Sequence, residues 1–405
     1  MDTRKLRGLI RDRTHPPTRS AVPTRSALPS YSVRVKSPAV IVVGAGIIGC
    51  TIAHELAAAG ARVQVIDARQ PGQGATRASA GILAPYIEGH ELAPLRSLGR
   101  RSLDLYDAFI ERARHDSGCD VIYNRNGTFE LAFSDADVDR LSALSGALWK
   151  EGVEARWVPP LAFEDHEPLV NADAKGALLI TAHGFVGVTS LTLASAAAAE
   201  GFGARFKTET GAIRIHQMPA GRVGVQTAAA NWDADRVVLA AGSWSSRITV
   251  EGADPVPVRP IRGQLIQLEM KPGALRHVVW GPTGYLVPWP DGSVLVGSTV
   301  EDVGFDENYT DEGVNTLRAA AVSLVPSLAG APMTSVRTGL RPRGPDDLPM
   351  LGLSMAVPGL IYATAHYRNG VMFAPLTAKL VQDLVFDRGA DPALRDLTPA
   401  RHGHL

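Results

Sequence analysis

Cysteine, aromatic residues, net charge and long apolar runs are all scarce in this chain of 405 residues. Its two cysteines, Cys50 and Cys119, form neither a CxxC pair nor a disulfide framework, which indicates reduced thiols in a cytoplasmic protein. No uninterrupted apolar run reaches about eighteen residues, so no membrane span is predicted. The histidines are scattered, and metal binding is therefore not expected.

The formal net charge of zero conceals an uneven distribution. Residues 1–38 carry nine lysines and arginines against two aspartates, so the remainder carries 32 basic and 39 acidic side chains. An acidic body does not favour nucleic acid as a partner. Residues 1–37 lack apolar periodicity and predict a disordered basic tail; a transit peptide, a nucleic-acid-attracting arm and upstream sequence from a misplaced start remain alternatives.

A glycine motif, V-V-G-A-G-I-I-G, occupies residues 42–49. An apolar strand is predicted before it, at Ala39 to Val43, and a helix after its central glycines, from Ile47 to Ala59. Gly44 permits the tight turn, Gly46 lets phosphate approach the backbone, and Gly49 lets the helix pack on the strand. The motif predicts a dinucleotide pyrophosphate, of FAD or NAD, at the helix N-terminus.

Asp67 supports the same interpretation. It follows a second predicted strand, Arg62 to Ile66, at the distance where such folds hold an adenosine ribose. The next segment, A-R-Q-P-G-Q-G-A-T-R-A-S-A-G-I-L-A-P, has few large side chains. Small residues allow a flat isoalloxazine ring to approach the backbone at Ala80, Gly81 and Ile82, which favours FAD over NAD.

The segment G-A-T-R-A-S-A-G-I-L-A-P resembles the flavin loop of the D-amino-acid oxidase superfamily, and specifically that of the glycine oxidases of thiamine biosynthesis. Further segments resemble the same group: P-I-R-G-Q-L at 260–265, G-Y-L-V-P-W-P-D-G-S-V-L-V-G-S-T-V-E at 284–301, G-L-R-P at 339–342 and H-Y-R-N-G-V-M-F-A-P at 366–375. The likeness spans residues 38 to 390. It implies an α/β fold in which a Rossmann-like FAD-binding domain is interleaved with an antiparallel-sheet substrate domain.

The expected boundaries follow from this resemblance together with the coarse secondary structure. The FAD-binding domain is expected at 38–86, 180–250 and 336–390, the substrate domain at 87–179 and 251–335, and a C-terminal tail at 391–405. The motif and the resemblance together predict these cofactor-binding residues: Gly44, Gly46, Ile47, Ile48, Gly49, Asp67, Ala68, Ala75, Thr76, Ala80, Gly81, Ile82, Ala212, Gly242, His366, Tyr367, Asn369, Gly370, Val371 and Met372.

Several local patterns predict individual elements. Helices are expected at 91–115 and 191–200 and, as the last helix of the fold, at 374–385, with a capping box formed by Ser134 and Asp137. A hairpin is expected over 121–133 around Asn126-Gly127, and strands near 212–215 and 236–242 in the dinucleotide domain. An antiparallel sheet is expected over 256–332, with a return to the flavin domain at Gly339. The C-terminus, with His402 and His404, is expected to be frayed.

Three side chains are predicted to contact the substrate. The guanidinium groups of Arg341 and Arg368 match the planar fork of a carboxylate, and Tyr285 offers an aromatic wall and a hydroxyl. A purely structural alternative pairs the arginines with Asp346, Asp347 or backbone carbonyls. His366 and Tyr367 are acid–base candidates by position, although backbone packing is the favoured role for both.

The resemblance implies FAD-dependent oxidative deamination of glycine or another small amino acid or amine. Hydride transfer from Cα to the flavin N5 needs no protein base, and dioxygen as acceptor yields hydrogen peroxide. The glycine imine then supplies thiamine thiazole synthesis. A D-amino-acid, sarcosine-type or cyanide-forming glycine dehydrogenase with a quinone or protein acceptor is an alternative, and a flavin-binding protein without turnover is another. A homo-oligomer is possible in each case.

Overall fold

Four β-sheets organise the computed structural model, which describes residues 37–87 and 93–405. The basic tail predicted for residues 1–37 lies outside the described residues except for Ser37. In chain order the strands are β1 (Ala39–Val43), β2 (Arg62–Ile66), β3 (Ile82–Leu83), β4 (Tyr123–Asn124), β5 (Thr128–Ala132), β6 (Ala155–Val158), β7 (Gly176–Ile180), β8 (Gly184–Val186), β9 (Arg205–Lys207), β10 (Ala212–Gln217), β11 (Val223–Thr227), β12 (Asn231–Ala234), β13 (Arg236–Leu239), β14 (Thr249–Val250), β15 (Arg259–Glu269), β16 (Val278–Gly281), β17 (Gly284–Pro288), β18 (Ser293–Gly297), β19 (Met333–Arg343), β20 (Met350–Leu353) and β21 (Leu360–Thr364).

The α-helices of the described residues surround these sheets. They are α1 (Ile47–Ala58), α2 (Ala93–Ser117), α3 (Asp135–Lys150), α4 (Phe163–His166), α5 (Val188–Gly201), α6 (Asp311–Leu324), α7 (Ala374–Val385) and α8 (Leu394–Leu397). The predicted capping box begins α3, and α7 has the predicted bounds. No helix in the described ranges combines the length and apolar character needed to cross a bilayer.

A six-stranded sheet in the order β20-β21-β13-β1-β2-β9 carries the dinucleotide motif. Its strands are parallel except for β20. Both faces of β1 are buried: Val40 and Val42 belong to the core formed with α1, α2, α5 and α7. Ile41 and Val43 belong instead to the core formed with the four-stranded sheet β12-β11-β10-β14. Burial on both faces explains the unbroken apolar run of this strand.

An eight-stranded sheet in the order β19-β15-β18-β17-β16-β5-β7-β6 forms the second layer system. It is antiparallel except where β5 and β16 pair. Leu317, Ala321 and Leu324 of α6 pack in its apolar core. The described residues from Ser37 onward nevertheless form one compact unit, and the two sheet systems are interleaved along the chain, as the fold class predicted.

The structure corrects two of the predicted strand arrangements. The hairpin predicted around Asn126-Gly127 is wrong, because β4 pairs with β8 whereas β5 pairs with β7 and β16. The amide of Gly127 binds the carbonyl of His183, which separates the two strands. The strand near Ala212 exists as β10, but it belongs to the four-stranded sheet rather than to the dinucleotide sheet.

Two expectations about the C-terminal third are also wrong. Gly339 does not mark a return to the flavin domain, because it lies within β19 and pairs with Gly263 of β15. The domain boundary expected at 336 therefore falls inside a strand of the antiparallel sheet. The C-terminal residues are not frayed either: Leu405 is fully buried, and Arg401 binds the carboxylate of Asp346.

Candidate active site

A long cleft opens where the parallel strands of the six-stranded sheet end. The loops that follow β1, β2, β13 and β21 line it on one side, and β15, β17 and β19 of the eight-stranded sheet contribute residues on the other. Ligands of open α/β sheets bind beyond the carboxyl ends of the strands. The empty space, counted together with its opening to solvent, measures about 1740 Å³.

The three motif glycines occupy different environments. Gly44 has φ +114°, and a Cβ there would lie closer than 3.0 Å to the Ala240 carbonyl. A Cβ on Gly49 would overlap the backbone of Gly44, so Gly49 serves helix packing and does not line the cleft. A Cβ on Gly46 would meet only Thr76 Oγ1, at 3.3 Å. Gly46 is therefore the motif glycine whose missing side chain leaves open space for a ligand.

The first turn of α1 faces the cleft beside Gly46. Ile47 and Ile48 line the cleft, and the amide of Ile47 donates to Thr76 Oγ1 at 3.0 Å. Amides at a helix N-terminus attract anions. The turn that holds Thr76 (Ala75–Ala78) is thus joined directly to the predicted pyrophosphate position.

Asp67 lies on the cleft wall at the end of β2. Its carboxylate accepts hydrogen bonds from the amides of Ala45 at 2.6 Å and Arg69 at 2.8 Å. Burial raises the pKa of this carboxyl, although these amides and the Arg69 charge act in the opposite direction. The neighbouring Ala68, together with Ala212 and Gly242, also lines the cleft.

The small residues of the flavin loop have two separate causes. Ala75, Thr76, Ala80, Gly81 and Ile82 line the cleft. A Cβ on Gly81 would overlap the carbonyl of Val186, however, so the protein's own backbone requires this glycine. Close packing, and not only the approach of a ring, explains the composition of the loop.

Arg341 and Tyr285 approach the cleft from the antiparallel sheet. Arg341 is half-buried on β19, and its guanidinium donates to Ser298 Oγ at 2.8 Å and to the Thr299 carbonyl at 3.0 Å. Tyr285 is buried on β17, and its ring centroid lies 4.9 Å from that of Trp280. Arg368 lies on the same cleft but is exposed. The structure therefore brings all three predicted substrate residues to one cavity.

The segment after β21 contributes backbone to the cleft. His366, Tyr367, Arg368, Gly370 and Val371 line it, whereas Asn369 and Met372 do not. Tyr367 has φ +47°, in the left-handed region that is unusual for a non-glycine residue. Its amide binds the Pro342 carbonyl at 2.9 Å, which holds this segment against β19.

His366 is fixed in place rather than poised for proton transfer. It is buried, and its Nε2 lies 3.1 Å from Thr377 Oγ1 of α7. Burial lowers the pKa of His366 to about 4, so its imidazole is neutral at pH 7. The contact links the loop to the helix that follows it, in agreement with the packing role favoured by the sequence.

Several cleft residues were missed by the sequence analysis. Arg69 lies two residues after Asp67, and Trp244 and Arg247 follow the predicted strand end at Gly242; position near a predicted contact was the available signal. Gly263 and Ser298 lie within two of the quoted similar segments. Their approach to the cleft depends on strand pairing, which the segments do not reveal.

Comparison with known proteins agrees with this geometry. The family model described as FAD dependent oxidoreductase (DAO) matches residues 39–384. The chain belongs to this family, and its cofactor is FAD. The open approach at Gly46, the α1 amides and the cleft beside the flavin loop fit a long dinucleotide with a flat ring.

Within this family the chain is similar to glycine oxidases. It is 33% identical to the glycine oxidase of Pseudomonas aeruginosa, over 91% of this chain and all of that protein. The crystal structure of glycine oxidase from Geobacillus kaustophilus superposes with a TM-score of 0.86 at 30% identity, covering 90% of this chain and 99% of the other. The chain is also 33% identical to the bifunctional protein ThiO/ThiG of Nostoc sp., over 88% of its own length. It spans 54% of that relative, about half.

Proposed function

We propose that this enzyme catalyses the oxidative deamination of glycine or a similarly small amino acid. When bound, FAD supplies the acceptor for the hydride that leaves the substrate Cα. The products are an oxo-acid, ammonia and, with dioxygen as the final acceptor, hydrogen peroxide. The observation that carries the proposal is the convergence of Arg341, Tyr285 and Arg368 on the same cleft as the flavin loop.

Arg341 is the proposed anchor for the substrate carboxylate. Its hydrogen bonds to Ser298 and Thr299 set the orientation of the guanidinium plane. A guanidinium held in this way presents a planar fork that matches a carboxylate. Tyr285 forms the adjoining wall, because its buried ring packs against Trp280 and its position on β17 faces the cleft.

The described side chains of the cleft agree with a reaction that needs no protein base. His366, the histidine that lines the cleft, is neutral, buried and hydrogen-bonded to Thr377. A neutral substrate amine donates its own lone pair as the Cα hydride departs, giving a protonated imine. Water then hydrolyses the imine, and the residues of the cleft orient the substrate rather than exchange protons with it.

The likeness to a ThiO/ThiG protein supports a role in thiamine biosynthesis, in which the glycine imine is passed on to thiazole assembly. We propose a cytoplasmic location for this reaction. Both cysteines are free, and Cys119 is exposed, as expected for a protein kept in a reducing compartment. The homo-oligomer considered from the sequence stays a prediction.

Anaerobic bleaching of the flavin tests the proposed reaction. Glycine added without air should remove the yellow colour, and admission of air should restore it with release of peroxide. Bleaching that persists in air and reverses only with a quinone would identify a dehydrogenase. A flavin that no small amino acid bleaches would reject amino-acid oxidation altogether.

A further inference from the structure

The connection between β18 and α6 contacts residues that line the cofactor cleft. Most residues of this segment, 299–310, are exposed, but Phe305 and Glu307 are half-buried and contact cleft-lining residues. The segment is called the strap below. Its contacts reach two segments of the same cleft wall, the loop after β2 and the turn after β13.

An ion pair joins the strap to the loop after β2. The Glu307 carboxylate accepts from Arg69 Nη1 at 3.0 Å and from Nη2 at 2.6 Å, so the pair is bidentate. Arg69 lies two residues after Asp67, the predicted ribose contact. The Glu307 carbonyl also accepts a hydrogen bond from Thr338 Oγ1 of β19. Glu307 thus joins the adenosine side of the cleft to the antiparallel sheet.

Phe305 joins the strap to the turn after β13. The guanidinium carbon of Arg247 lies 3.6 Å from the centre of its ring, and the Trp244 ring centroid lies 5.9 Å away. Arg69 also stacks on Trp244, with its guanidinium carbon 4.4 Å from the centre of that ring. The stack of cations and rings, together with the ion pair, therefore connects the strap to both the loop after β2 and the turn after β13.

The base of the strap is rigidly held. Arg262, which is only 4% exposed, donates to Asp306 at 2.5 Å and to the Asn308 carbonyl at 2.8 Å, and pairs with Glu301. Gln264 binds Glu301 and Thr310. Because these anchors lie on β15, the strap is fixed to the antiparallel sheet, and Phe305 and Glu307 carry its contacts to the loop after β2 and the turn after β13.

We propose that the strap retains FAD in the cleft, and that the Arg69–Glu307 ion pair and the contacts of Phe305 with Arg247 and Trp244 hold the strap in place. These residues act on the rate at which FAD leaves and not on the reaction with substrate. The inference needs the FAD of the family but not the proposed amino-acid substrate.

The test measures FAD release from the purified holoenzyme by the rise in flavin fluorescence, without substrate. Glu307→Gln and Phe305→Ala should each release FAD about fivefold faster, the size expected for one partly exposed ion pair or cation–π contact. Asp302→Asn is the matched control, because it removes the same charge from the strap at an exposed pair with Arg259. It should release FAD at the wild-type rate.

The salt dependence of FAD release distinguishes loss of the Arg69–Glu307 ion pair from a general loss of stability. Raising the salt from about 0.01 M to about 1 M should accelerate release from the wild type but leave Glu307→Gln nearly unchanged, because the screened interaction is already missing. With saturating FAD, both variants should keep the wild-type turnover. If Glu307→Gln and Phe305→Ala release FAD at the wild-type rate, or if Asp302→Asn releases it equally fast, the strap does not retain the cofactor. Failure of glycine to bleach the wild type would count against the proposed substrate alone.

Discussion

The guanidinium of Arg341 lies directly over the Cα of Gly263 on the neighbouring strand. A Cβ at position 263 would approach all three terminal atoms of that guanidinium to less than 3.0 Å. A second pair repeats the arrangement, because a Cβ on Gly297 would meet the Tyr285 hydroxyl in the same way. Two glycines on adjacent strands, β15 and β18, therefore provide the space for two of the proposed substrate contacts.

Gly263→Ala should displace Arg341 without disturbing the strand, because the backbone of Gly263 does not require φ > 0. We expect the KM for glycine to rise about tenfold to a hundredfold, since a small misplacement of a positioning group has effects of this size. Steady-state kinetics at saturating FAD measures it. Gly330→Ala is the control, because a Cβ there meets open space; equal KM values in the two variants would contradict the arrangement.

Arg341→Ala should weaken binding of amino acids and spare amines that lack a carboxylate. Losing a bidentate ion pair in a closed pocket costs about 2 to 4 kcal/mol, which raises the KM for glycine steeply. Arg337→Ala serves as control: Arg337 lies on the same strand, binds Gln267 at 2.6 Å and does not line the cleft. Should both substrate types suffer alike in Arg341→Ala, Arg341 does not bind the carboxylate.

Gly46→Val should produce a folded protein that does not hold FAD. The backbone at Gly46 has φ −74°, which a valine tolerates, so its methyl groups would occupy the space open to phosphate. Absorbance of the purified protein reports bound flavin, and circular dichroism reports the fold. Gly146→Val on α3, where nothing lies within 4 Å, should stay yellow. A yellow Gly46→Val protein would disprove this phosphate position.

Acid should destabilise the protein through its buried histidines. Burial, with a smaller effect of Arg125, lowers the pKa of His183 to about 3, and burial alone lowers that of His366 to about 4. Below the usual histidine pKa of about 6.5, the unfolded chain binds protons that the folded chain does not. The contribution of these two histidines to the free energy of unfolding is therefore complete above that pH, and it decreases as the pH drops toward the lowered pKa values.

At about pH 5 each of these histidines should cost about 2 kcal/mol of unfolding free energy relative to neutral pH. Urea unfolding of the holoenzyme at the two pH values measures the loss. His183→Asn should reduce the loss by roughly the contribution of one histidine, even if its stability at neutral pH is lower. His404→Asn, at an exposed position, should not. An unchanged pH dependence in His183→Asn would show that His183 is protonated in the folded state.

Local patterns predicted the secondary structure around the glycine motif well. The strand, glycine turn, helix and Asp67 were all expected, because each expresses a backbone requirement within a short stretch of chain. The same reasoning failed at Asn126-Gly127, where a good turn pair joins strands of different sheets. It also failed at Gly339, which lies within β19 and lacks a side chain because Ala78 packs closely against it.

The sequence by itself determined the cofactor class. The residues that favour a phosphate are neighbours in the glycine motif, and those that favour a flat ring are neighbours in the flavin loop. Only the tertiary structure decided where Arg341 points, which side chain meets Arg69 and which glycines are needed by the protein itself. Glu307 meets Arg69 across 238 positions of sequence, and Arg341 meets Gly263 through a strand pairing. Such contacts depend on which strands pair and in which register, and pairing is settled by the burial of whole sheets rather than by any local pattern.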